Sequence, residues 1–174
     1  MRVCDAALRH RDTGLPAMNL FTFGYEGLSV DVFIRRLKAA GVRRVVDVRQ
    51  LPLSRKPGFS KNALAAELAK AKIVYEHVAA LGCPRPIRDR YKETADWAVY
   101  TKAYGAYLAT QKDVVAGLAR VAKRETVCLV CFEADFTRCH RSLVARACVR
   151  AGGPPTLHLT ATEAIADVAV RSAA

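Results

Sequence analysis

Five short apolar runs alternate with stretches of helical period, and this alternation constrains the chain more than any other feature. The runs cover residues 20–23, 45–48, 73–75, 127–132 and 156–159. Each is too short for a buried helix and is rich in residues that suit a pleated surface. Between the first two, Ser29 can cap a helix whose apolar positions Val30, Phe33, Ile34 and Leu37 recur at helical spacing, with Gly41 as its stop. Ser60 can cap a second helix through Leu64 and Leu68. Trp97, Tyr100, Tyr104, Tyr107 and Leu108 recur at three- and four-residue steps, which predicts a buried helical stripe rather than a platform for stacked bases.

Helical spacing continues over 114–121 and 139–149, the latter ending at Gly152-Gly153. Thr160 and Glu163 have capping-box spacing and predict a last helix through Val168. Residues 81–93, rich in Pro and Arg, predict an irregular loop. Strands that alternate with helices in this way predict an α/β fold class: a single three-layer, Rossmann-like domain with a mostly parallel sheet of about five strands. That domain covers residues 19–174, whereas residues 1–18 show no period and read as an N-terminal tail or extension, with Met18 as an alternative start.

Composition excludes several classes. A chain of 174 residues can build a core without staples, and six cysteines at scattered positions, without an export signal, read as reduced thiols. No apolar run approaches the length of a membrane span. The expected setting is cytoplasmic, with no membrane partner; oligomeric state is not addressed by the pattern. The net charge of +12 favours a phosphate-bearing partner, either a small molecule or nucleic acid. Between Val32 and Lys61 nine Lys or Arg residues accompany one acid, Asp47.

The chemistry concentrates at strand ends. In such a fold ligands bind outside the carboxyl ends of the strands, where Tyr25 and Glu26, Asp47 and Arg49, His77, Cys131 and Glu133, and His158 fall. The densest stretch, VCFEADFTRCHRS from Val130 to Ser142, holds two thiols, two carboxylates, an imidazole and two guanidiniums. A strand–loop–helix anion cradle is the first reading, because a helix start with Arg138 and Arg141 nearby attracts an oxyanion. A reactive thiol at Cys131 is second; rhodaneses and cysteine phosphatases use a related device, although six residues rather than five separate Cys131 from Arg138, and Glu133 and Asp135 add opposing charge. Zinc is third, since Cys128 and Cys131 lie three apart in a strand and face opposite sides. No cofactor and no metal are called for on this reading. Its plainest alternative gives Cys131 to packing, Asp135 or Thr137 to capping, and Arg141 to an ion pair with Glu133 or Asp135.

Several segments together resemble a known family. They are TFGYEG at 22–27, VDVR at 46–49, SRKPGFSK at 54–61, Leu81-Gly82, and CFEAD at 131–135 with Cys139-His140-Arg141. In this order and spacing the chain, over about residues 20–159, is similar to the family catalogued as domain of unknown function 488. The resemblance implies a bacterial or archaeal cytosolic protein and supplies no reaction.

Two functions follow from the residues themselves. An enzyme would use Arg49, Arg55, Arg138 and Arg141, with Tyr25, Glu26, Ser54 and His77, to hold a phosphate-bearing ligand. Asp47, Glu133 or His140 would move protons, and Cys131 or Cys139 would serve as nucleophile in a sulfurtransferase- or phosphatase-like variant. A non-catalytic nucleic-acid-binding module would use the same cations, with Phe59 of the loop 53–61 either stacked on a base or tucked into the core.

Overall fold

The apolar runs form one six-stranded sheet in the computed structural model, which describes residues 19–168. The expected N-terminal extension lies outside the described residues. The strands are β1 (Leu20–Gly24), β2 (Arg44–Asp47), β3 (Val74–His77), β4 (Val127–Cys131), β5 (Thr156–Leu159) and β6 (Ala164–Ala166), in spatial order β3-β2-β4-β1-β5-β6. The first five are parallel and β6 is antiparallel to β5. The helices are α1 (Val30–Ala39), α2 (Lys61–Lys70), α3 (Arg85–Thr94), α4 (Trp97–Thr110), α5 (Lys112–Ala122) and α6 (His140–Arg150).

Two cores sandwich the sheet, because alternate strand residues face opposite sides. Phe21, Phe23, Val45, Cys128 and Val130 pack with Phe33 and Leu37 of α1 and Leu64 and Leu68 of α2. Leu20, Val46, Leu129 and Cys131 pack on the other face with Tyr104 of α4, Leu118 of α5 and Val144 of α6. The domain is therefore three-layered, as the alternation predicts. Ser29 caps α1 through the amide of Val32, and the aromatic stripe of α4 is core, with Tyr100, Tyr104 and Leu108 buried.

Two elements differ from expectation. The Pro- and Arg-rich segment is not a loop: after a 3-10 turn at Ala79–Leu81 it forms α3. Pro84 is the N-cap of α3 and Pro86 sits in its first turn, where the missing amide has no intrahelical partner to lose. The expected last helix is instead the hairpin strand β6. The hydroxyl of Thr160 does accept from the amides of Thr162 and Glu163, but Thr160 N donates back to Glu163 O and the chain reverses beside β5.

The topology explains where a cleft opens. β1 and β4 are neighbours, in register with Gly24 opposite Cys131. The chain leaves β1 for α1 on one face and leaves β4 for α6 on the other. Connections that diverge in this way leave a crevice at the carboxyl ends of the two strands.

Candidate functional site

The turn after β4 is held in place by its neighbours. Gly24 is required at the end of β1, because a Cβ there would stand 1.7 Å from the carbonyl oxygen of Glu133. Arg141, wholly buried, donates to the carbonyls of Glu133 (2.6 Å) and Ala134 (3.2 Å) and reaches Thr22 Oγ1. The carboxylate of Glu26 accepts from the amide of Ala134 at 3.0 Å, and Asp135 accepts from the amide of Thr137. Arg141 and Glu26 therefore brace the turn, and neither lines the cleft. The ion pair expected for Arg141 is replaced by bonds to main-chain carbonyls.

This bracing brings four functional groups together. Cys131 ends β4, Glu133 lies in the turn, Cys139 is the N-cap of α6 and His140 is its first residue. One carboxylate oxygen, Glu133 Oε2, accepts from Cys131 Sγ at 2.9 Å and from Cys139 Sγ at 3.1 Å. His140 Nδ1 lies 3.9 Å from each sulfur. Cys128, three residues before Cys131, faces the opposite core and takes no part.

The cluster shares charge unevenly. The hydrogen bond it donates to Cys139, then burial, pushes the Cys131 thiol well above its ordinary value. Burial opposes ionisation at Cys139, yet its bonds to Cys131 and His140 hold it well below. Burial and the neighbouring Cys139 sulfur raise Glu133. At His140 burial works against protonation, but the contact with Cys139 wins and raises the imidazole.

A second network forms one wall. Arg49 clamps Asp47 through Nε and Nη2, and its Nη1 donates to Tyr25 Oη and to Phe59 O, both at 2.8 Å. Tyr75 Oη donates to Asp47 Oδ2 at 2.7 Å. Asp47 is wholly buried and does not reach the cleft. Phe59 is equally buried and stacks on Tyr25 at 4.2 Å between ring centroids, so its ring is core and not a base platform. His77 Nε2 donates to Arg49 O at 2.8 Å, outside the cleft. His158 also lies away from it, bonded to Thr22 and stacked on Phe136.

The cleft itself has a volume of about 570 Å³. The four-residue cluster lies along it, and Tyr25, Arg49, Ser54, Arg55 and Arg138 line it as well. Sequence reasoning missed Arg88, Tyr91 and Lys92, which α3 contributes; Lys56, one of the cations of the loop 53–61, lines the cleft as well. The signal was present: Ile87 with Tyr91, and Arg88 with Lys92, are each four apart, the spacing of one helix face. Arg88 donates to Gln50 Oε1, while its buried Nε has no hydrogen-bond partner. Another hollow, of about 460 Å³ between Val46, Val78 and Leu118, contains neither thiol nor imidazole.

Comparison with known proteins matches residues 29–148, more than half of the chain, to the family model described as Domain of unknown function DUF488. No curated protein and no solved structure matches.

Proposed function

For a chain that belongs to the DUF488 family, whose description assigns no function, we propose an enzyme that binds a phosphate-bearing ligand in the cleft between β1 and β4. The cations around the cleft hold the ligand, and the floor acts on it. The observation that carries this reading is Arg88: it lines the cleft, has no ion-pair partner among the described residues, and spends one Nη on the neutral amide of Gln50. An oxyanion is the acceptor an unpaired guanidinium favours. Arg55 and Arg138 are likewise without an ion pair among the described residues. Ser54 adds a hydroxyl on the same wall.

The floor offers a sulfur nucleophile at Cys139 or Cys131, with Glu133 and His140 in contact to take and return a proton. The same groups serve hydrolysis or group transfer of the bound anion. Asp47, fully engaged by Arg49 and Tyr75, supports the wall and is left out of the proton pathway. A second reading, a non-catalytic nucleic-acid-binding surface, draws on the net charge of +12 and on Phe132, exposed beside Tyr25.

The test is equilibrium binding of a labelled mononucleotide and a labelled single-stranded oligonucleotide at low and moderate salt. The enzyme reading expects the mononucleotide to bind, and Arg88→Ala and Arg138→Ala each to weaken it about tenfold. Binding of the long strand alone, lost steeply as salt rises, moves the assignment to the surface reading. No binding of either ligand at low salt sinks both.

A further inference from the structure

We propose that Cys131, Glu133, Cys139 and His140 form a binding site for a thiophilic divalent cation of the zinc class. The donor atoms of these four residues all lie within 4.8 Å of one another. In a tetrahedral zinc site, bond lengths of about 2.0–2.3 Å place neighbouring donors roughly 3.6 Å apart. The observed sulfur–oxygen separations of 2.9 and 3.1 Å and sulfur–nitrogen separations of 3.9 Å bracket that edge. Small side-chain adjustments convert one arrangement into the other.

Two further observations select a metal over a merely packed thiol pair. The first is the support of the histidine. Its Nε2 lies 2.8 Å from Val48 O, which can only accept, so Nε2 carries a proton, and in the neutral ring the lone pair of Nδ1 faces the sulfurs. A ligating imidazole is usually fixed by such a bond from its other nitrogen. The second is the sharing of Glu133 Oε2 by both thiols. One oxygen stands against both sulfurs in a site where the sulfurs and the imidazole are almost wholly buried. Binding displaces thiol protons: the cation forms two metal–thiolate bonds, and each proton still on sulfur leaves to solvent. Two thiolates and an imidazole suit zinc better than magnesium or calcium, which prefer oxygen.

The site borders the cleft, which gives the ion an entry path. Cys131, Cys139 and His140 supply the three buried ligands, and Glu133 the fourth, in the turn that faces the cleft. If the anion reading of the cleft holds, an oxygen of the ligand can displace Glu133, the arrangement of a zinc site with one exchangeable position. That exchange rests on the reading of the cleft as an anion pocket and metal binding itself does not; with the ion bound, the two sulfurs and the imidazole are ligands rather than nucleophile and base.

The experiment titrates the reduced full-length chain, freed of metal by a chelator, with zinc or with cobalt(II) as a spectroscopic probe. About one ion per chain is expected, with the charge-transfer absorption of cobalt–thiolate bonds and tetrahedral d–d bands. Cys139→Ser and His140→Ala should abolish stoichiometric binding, and Glu133→Gln should weaken it, the circular dichroism of each variant reporting its fold. Cys128→Ser and Cys148→Ser, which remove thiols outside the cluster, should bind as the parent does. A titration without a thiolate band, or a band that survives Cys139→Ser, overturns the proposal, as does a Cys131–Cys139 disulfide that persists under reductant. Mononucleotide binding measured on the same samples separates the two ideas. Loss of anion binding in Arg88→Ala with an intact cobalt spectrum tests the pocket alone, and absent metal binding with intact anion binding removes the metal alone.

Discussion

The imidazole of His140 donates its Nε2 proton to the carbonyl oxygen of Val48, 2.8 Å away across 92 residues of chain. This bond ties the first residue of α6 to the residue that follows β2, and thereby fixes which ring nitrogen meets Cys131 and Cys139. In chelator-treated protein, His140→Phe keeps a ring but leaves Val48 O without its donor. The expected cost is about 1–3 kcal/mol, seen as a melting temperature lower by roughly 3–10 °C. An unchanged melting curve would show that water replaces the imidazole without loss.

Arg49 and Asp47 form a buried pair that joins the strand end to Tyr25, Phe59 and Tyr75. Arg49→Ala strands a buried carboxylate, and the expected loss is about 3–5 kcal/mol. Arg49→Lys restores charge without the guanidinium fork and should recover only part of it. Urea denaturation midpoints of the two variants measure the difference.

Glycine is required at one end of β1 and dispensable in α4. Gly24→Ala drives a methyl into the Glu133 carbonyl and should cost roughly 1–3 kcal/mol or more, displacing the turn that carries Glu133. A Cβ at Gly105 meets nothing, so Gly105→Ala should raise stability by about 1 kcal/mol through helix propensity. Opposite shifts in thermal denaturation are the expected pair of results.

Acid should destabilise the fold through His158. Burial pushes its pKa down to about 4, with the Asp167 carboxylate opposing and Arg141 and Arg146 assisting. Its imidazole also bonds Thr22 at 2.8 Å. Because the folded value lies below the unfolded value of about 6.5, the unfolded chain binds more protons between the two. The contribution is complete above pH 6.5 and declines as pH falls toward 4, by about 3 kcal/mol in all. Urea unfolding at pH 7 and pH 5 should show a smaller change in His158→Gln than in the parent chain; equal changes would assign the acid sensitivity to other groups.

The strands and most helices were legible because their signals are local. Apolar runs bounded by turn residues specified the five parallel strands, and the Ser29 cap and the stripe of α4 specified their helices. α3 was hidden because proline and arginine dominate its sequence, although its four-residue spacing of Ile87 and Tyr91 carried the period. β6 was hidden because Thr160 and Glu163 satisfy a capping pattern equally well in a tight reversal, and pairing with β5 decided between the two.

By itself the sequence determined the α/β alternation, the family and the concentration of polar residues at strand ends, since each depends on neighbours within a few positions. Only the tertiary structure decided which of those residues share a cleft. It locked Asp47 behind Arg49, spent Arg141 on two carbonyls, buried Phe59, and brought in Arg88 from α3. It also turned Cys131, Glu133, Cys139 and His140 into one cluster while sending Cys128 to the opposite face. The physical reason is that a polar group satisfies its hydrogen bonds with whatever the fold places against it, and those partners lie far away in the chain.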